Sequence, residues 1–191
     1  MVRIHCAGAI LLLFSSAALA DAPIQPDHDR TPGVANSSIT ESNYRPKLCR
    51  GTNGKKLQTT DASRPSTNYT DKVKKKQLSD WNYADTTMGH YEEDHLISLE
   101  LGGINSSTKN LWPQPYETGA TPYAGEWGAH VKDGLENELG RRICLAKTNP
   151  EHLTLRQART ALKTDWIKAY HDYVCTRTKP KLTAIMKAHC E

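Results

Sequence analysis

Beyond its first twenty residues the chain has no long apolar run, and no later segment is apolar enough to cross a membrane. It has no CxxC pair and no close Cys/His set with structural-zinc spacing, which argues against zinc held through cysteine. HExxH is missing, so a zinc hydrolase of that type is not the expectation. Nothing resembles a groove-reading DNA motif, and there is no internal repeat or low-complexity tract. A strong charge of one sign is lacking too. With 25 basic against 21 acidic residues, the mild positive balance permits a polyanionic partner without requiring one.

Residues 1 to 20 combine Arg3, the apolar run Ala7 to Phe14 and the small-residue pattern Ala18-Leu19-Ala20, the layout of a secretory signal peptide. A mature chain starting at Asp21 loses Arg3 and Cys6, which leaves a formal charge of +3 and four cysteines. An even count in an exported chain predicts two disulfides among Cys49, Cys144, Cys175 and Cys190, in any of three pairings. The length after cleavage suits one domain, and a monomer is expected.

Residues 21 to 46 are rich in Pro, Ser, Asn and Asp without periodicity, and predict an extended or partly mobile arm before a domain spanning 47 to 191. Turns and short strands are expected from Cys49 to Thr70. In "YTDKVKKKQLSDW", Val73, Gln77, Leu78 and Trp81 can line one side of a short helix with Lys72, Lys74, Lys75 and Lys76 in solvent. "HLISLEL" reads as a short strand, "NLW" as its partner across a wide polar loop, and Pro113 and Pro115 as the close of the hairpin. Trp127, Val131, Leu135, Leu139 and Ile143 recur every four residues and mark a helix face, with Lys132, Asp133, Glu136 and Asn137 off that stripe. Thr154 and Gln157 fit a capping box opening a helix over 154 to 175, with a stripe of Ala158, Leu162, Trp166, Ala169 and Tyr173. The fold class predicted is α+β.

The chemistry concentrates in "YEEDHLISLELGG", where Glu92, Glu93 and Asp94 run into His95. A histidine near its neutral pKa can take a proton from water, and a carboxylate can hold a hard divalent cation. Adjacent strand residues point to opposite faces, so both serve one site only where the strand ends or bulges. Trp112, Trp127 and Trp166 read as core rather than base-stacking platforms, and Glu92 and Glu93 as exposed carboxylates.

"EEDHLISLELGG", "KNLWPQP" and "GAHVKDGLENEL" together resemble the HNH (His-Me finger) nuclease module, a hairpin and helix that grip one divalent metal. The chain is also similar over nearly all of residues 31 to 175 to a family of small secreted bacterial proteins, through "TPGVANSSITESNY", Cys49, "EEDHLISLELGG", "NLWPQP", "VKDGLENELGRRIC" and "ARTALKTDWIKAY". The resemblance implies a ββα-metal core over 91 to 146, extra helices and disulfide staples. It implies His95 as the general base, Asp94 as a metal ligand and Asn110 as the middle Asn that orients the base or meets the metal. The metal would be Mg most simply, with Mn, Ca, Ni or Zn as substitutes, and cleavage would give a 5'-phosphate and a 3'-hydroxyl.

The third metal position departs from the family pattern. His130, Lys132, Asp133, Glu136 and Asn137 are its candidates, with Glu136 favoured as a metal or water ligand and Lys132 as a phosphate contact. The two also suit an ordinary helix-face ion pair. The expected function is a secreted or periplasmic metal-dependent endonuclease acting on DNA or RNA with little sequence preference. The alternative is a non-catalytic secreted protein that keeps the finger as a metal-stabilised binding scaffold.

Overall fold

The computed structural model describes residues 24–49, 63–176 and 183–191. The expected signal peptide, most of the turn-rich stretch after Cys49 and the run 177–182 lie outside the described residues. The fold is mixed α+β, with a two-stranded antiparallel hairpin packed between helices.

Helix α1 (Tyr44–Leu48) is short, and α2 (Thr67–Asp80) is opened by Ser66, whose side chain accepts from the backbone N–H of Tyr69. Gln77 and Leu78 are buried and Lys72, Lys75 and Lys76 are exposed. Lys74 departs from the expected solvent face: it turns inward and donates to the carbonyl of Tyr91 at 2.9 Å.

Strand β1 (Tyr91–His95) pairs with β2 (Leu111–Pro115), Tyr91 opposite Pro115 and His95 opposite Leu111. The first strand therefore ends where the aliphatic run was expected to begin it. Leu96, Ile97 and Leu101 are buried, but in a bend followed by a 3-10 turn, Leu99–Leu101; their apolarity reported burial and not extended pairing. Both prolines lie within the second strand. The N–H of Leu96 donates to the carbonyl of Asn110 and that of Tyr116 to His90, so the ladder bonds fall on even-numbered residues of β2. Pro113 and Pro115 thus occupy positions whose missing N–H faces away from β1. The carbonyls of Leu111 and Pro113 face outward likewise, accepting from Gln77 and from the Tyr83 hydroxyl.

Helix α3 (Ala129–Cys144) buries Val131, Leu135, Leu139 and Ile143, the predicted stripe. Each such side chain contributes roughly 1.5–3 kcal/mol by leaving water. Trp127 precedes the helix and packs edge-on against Trp166 and Tyr170. Helix α4 (Leu155–Tyr170) has the capping box: Thr154 accepts from the Gln157 N–H at 3.1 Å and Gln157 reaches back to the Thr154 N–H at 2.9 Å. It is interrupted at Asp165, whose carboxylate caps the following turn at Lys168 and receives the amide of Gln25. A π-helical turn, His171–Cys175, and α5 (Ala184–Ala188) follow.

Residues 24–46, expected as an extended or partly mobile arm, instead run through turns into α1 and are docked on the body. The Trp166 indole donates to Ile24, Gly33 and Asn36 bond to Lys109 and Gly102, and the Tyr44 hydroxyl donates to Ile143. The cysteines pair as Cys49–Cys144, joining the end of α1 to α3, and Cys175–Cys190, tying the C-terminal residues to the π-helical turn after α4. Such bridges persist in a non-reducing environment. Among the described residues no helix is long and apolar enough to cross a membrane.

Candidate active site

Asp94 and His95 are the last two residues of β1. Asp94 lies on the face it shares with Glu92, and opposite them with Trp112 and Gln114; this face meets α3. His95 closes the other face, where the strand gives way to the loop 96–110. The strand end is thus what allows neighbours of opposite orientation to border one site.

From α3 comes Lys132. Its ammonium donates to Asp94 Oδ2 at 2.6 Å, to the backbone carbonyl of His95 at 2.8 Å and to Glu136 Oε1. Three N–H bonds meet three acceptors, and the side chain is 1 % exposed. Lys132 is therefore not placed as the expected phosphate contact, although it lies off the apolar stripe. Burial opposes its charge, but the Asp94 and Glu136 carboxylates outweigh that and hold the ammonium above the ordinary lysine range. The second oxygen of Glu136 accepts from the Ser98 hydroxyl at 2.8 Å.

Glu92 and Asp133 complete the carboxylate cluster. Burial, then the carboxylates of Glu136, Asp94 and Glu92, push Asp133 up to about 7. Burial and Asp94 also raise Glu92, against the lowering effect of Arg64. Arg64 is half-exposed, with one guanidinium nitrogen 3.5 Å from Glu92. Four carboxylates thus face two cations, Lys132 and Arg64.

The imidazole Nε2 of His95 lies 2.8 Å from the carbonyl oxygen of Asn105. A carbonyl only accepts, so Nε2 carries the hydrogen and Nδ1 of the neutral ring carries the lone pair. Burial lowers the His95 pKa, partly offset by Asp94 and the bond to Asn105. The ring is a neutral base at pH 7.

Asn110 is fully buried, and its amide is spent on backbone. Oδ1 accepts from Ile97 N at 2.9 Å and Val34 N at 3.2 Å, while Nδ2 donates to Ile97 O and Ile104 O, both at 3.0 Å. It organises the loop that presents Asn105 to His95. Gly103 belongs to the same packing: a Cβ there would lie 1.8 Å from the Ile97 carbonyl oxygen and 2.8 Å from Asn110 Nδ2. Gly102, at φ 73°, supplies the left-handed residue that ends the 3-10 turn.

Compared with known protein families, curated proteins and solved structures, the chain matches none. The HNH resemblance implies a divalent metal held by Asp94, Asn110 and Glu136. Of its expected ligands, Asn110 has no lone pair left, and Asp94 and Glu136 are joined through Lys132. Among the described residues no group of three or more His, Cys, Asp or Glu side chains stands where it can hold a metal ion. The residues as arranged do not fit the metal.

The other candidates separate. His130 stacks on Tyr116 and bonds through Nδ1 to Glu117 at 3.1 Å. Asn137 donates to the carbonyl of Asp133 on the exposed side of α3. Arg64, Ser98 and the Asn105 carbonyl carry no signal in the sequence, because only folding brings them to Glu92, Glu136 and His95 respectively.

Glu93 is buried rather than exposed, and neither carboxyl oxygen has a hydrogen-bond partner. Burial pushes it up to about 9, against the pull of Lys74. Because this value lies above the ordinary 4.5, the stability it allows is fully present below pH 4.5 and is lost as pH rises toward 9. Glu93→Gln removes the penalty and is expected to stabilise the fold by about 2–3 kcal/mol at pH 7, with little change at pH 4. Urea midpoints at the two pH values check this; equal gains at both would refute it.

Proposed function

We propose that the protein is a nuclease that hydrolyses phosphodiester bonds with His95 as general base. The observation that supports this most is His95 at the end of β1, neutral through burial and held by Asn105 so that Nδ1 is the basic nitrogen. Nδ1 takes a proton from water, the water oxygen bonds to phosphorus, and the P–O bond to the leaving oxygen breaks. The leaving oxygen is protonated by solvent, giving a phosphomonoester and an alcohol. Arg64 is the half-exposed cation beside the cluster and supplies the contact to a phosphate oxygen. The likeness of "EEDHLISLELGG" and "NLWPQP" to the HNH motif adds nucleic acid as the substrate class, and the lack of a groove-reading motif adds a salt-sensitive grip through phosphates. The metal expected with that motif supplies no step here. The two disulfides and the N-terminal pattern favour export.

A binding scaffold remains the second reading, favoured by the saturated Asp94–Lys132–Glu136 contacts. Incubating the oxidised protein with supercoiled plasmid and with RNA separates the two. Cleavage is expected, with an acid limb of the pH profile centred below 6.5, since burial lowers His95 and the basic form persists into mildly acidic solution. Intact DNA and RNA, with every divalent metal and without any, would leave the scaffold.

A further inference from the structure

We propose that the Lys132 ammonium is the resident cation of this site and does there what a divalent metal would otherwise do for the protein: it gathers the carboxylates of Asp94 and Glu136 and fixes the end of β1. This rests in part on the nuclease reading, because it makes the proposed cleavage independent of metal.

The geometry points the same way from both ends. Asp94 comes from the hairpin and Glu136 from α3, the two elements a bound cation would have to bridge, and one nitrogen bridges them. The third N–H goes to the His95 carbonyl, so the same group fixes the backbone of the proposed base. Ser98 takes the remaining oxygen of Glu136, and Asn110 is committed to its loop. A metal entering between Asp94 and Glu136 would have to expel a buried ammonium one helical turn from Glu136. The Lys132 chain lies wholly within the protein, so the expelled charge would lose its partners without reaching water. Lys132 is accordingly a positioning residue, acting through Asp94 and His95, and the cation left to meet substrate is Arg64.

The role can be read without any assay of cleavage. Thermal melting and calorimetric titration of the oxidised protein with Mn, Mg and Ca are expected to show no metal-dependent shift and no saturable heat, and EDTA is expected to change neither. Lys132→Met keeps most of the unbranched side chain and removes the cation, leaving Asp94 and Glu136 to face each other. Its melting temperature is expected to fall and to recover with Mn or Ca, a recovery lost in the double variant Lys132→Met/Asp94→Asn. Saturable Mn binding by the wild type that Asp94→Asn abolishes would overturn the proposal, and this comparison decides even where Lys132→Met does not fold. Cleavage separates the two readings: nicking that survives EDTA supports both, nicking only with added metal overturns the role of Lys132 while the nuclease stands, and no nicking under any condition removes the nuclease while the titration still decides Lys132.

Discussion

His95→Gln is expected to lower phosphodiester cleavage by about a hundred- to ten-thousand-fold, the range for removal of a positioned general base. The variant is chosen because a glutamine amide can still donate to the Asn105 carbonyl that now accepts from Nε2. The loop contact can therefore be kept while the lone pair that takes the proton is lost. His95→Ala removes both and is expected to lose the same activity together with some stability, since the Asn105 carbonyl is left without its donor. The comparison is read by initial nicking rates beside melting curves. A His95→Gln protein that melts like the wild type and cleaves at the same rate would rule out His95 as the base.

The second large effect falls on Asn110. Asn110→Ala leaves two N–H groups, of Val34 and Ile97, and two carbonyls, of Ile97 and Ile104, without the partner each now has. The Ile97 groups are buried, whereas those of Val34 and Ile104 are only partly so; at about 1–2 kcal/mol for each buried group left unsatisfied, the loss is about 2–4 kcal/mol, a large share of the ~5–15 kcal/mol that holds a domain folded. Asn110→Asp tests the same contacts by sign. It keeps the shape and the acceptor, but sets a carboxylate oxygen against the carbonyls of Ile97 and Ile104, so it is expected to destabilise as well. Urea unfolding measures both, and a loss under 1 kcal/mol in each would show that the loop holds itself. Because this loop carries Asn105, an Asn110 variant that still folds is also expected to cleave more slowly.

The two residues differ in how far sequence could describe them. His95 follows a carboxylate in a short, recognisable string, and its place at the strand end was the condition for Asp94 and His95 to border one site. For Asn110 the residue type was legible but not the use, because four hydrogen bonds to Val34, Ile97 and Ile104 depend on a chain path that local pattern does not encode. The first strand shows the same limit. "YEEDH" carries three acidic residues and reads as surface, yet Glu93 and Asp94 are buried, while the aliphatic run after it is a buried loop. Side-chain polarity reports the environment a residue prefers, and here the hairpin sets ionisable groups against two helices.

What the sequence by itself determined is local and periodic. The apolar stripes of α3 and α4, the Thr154 capping box and the α+β class all follow from residue spacing, since a helix places every third or fourth side chain on one face wherever it packs. Tertiary structure alone decided which cysteines pair and that residues 24–46 dock. It also decided that Lys132, on the polar side of its helix by sequence, is buried between Asp94 and Glu136. The reason is common to all three: disulfides, the hydrogen bonds of the docked segment and the Lys132–Asp94 pair each join groups distant in the chain, and such partners meet only once the chain has folded.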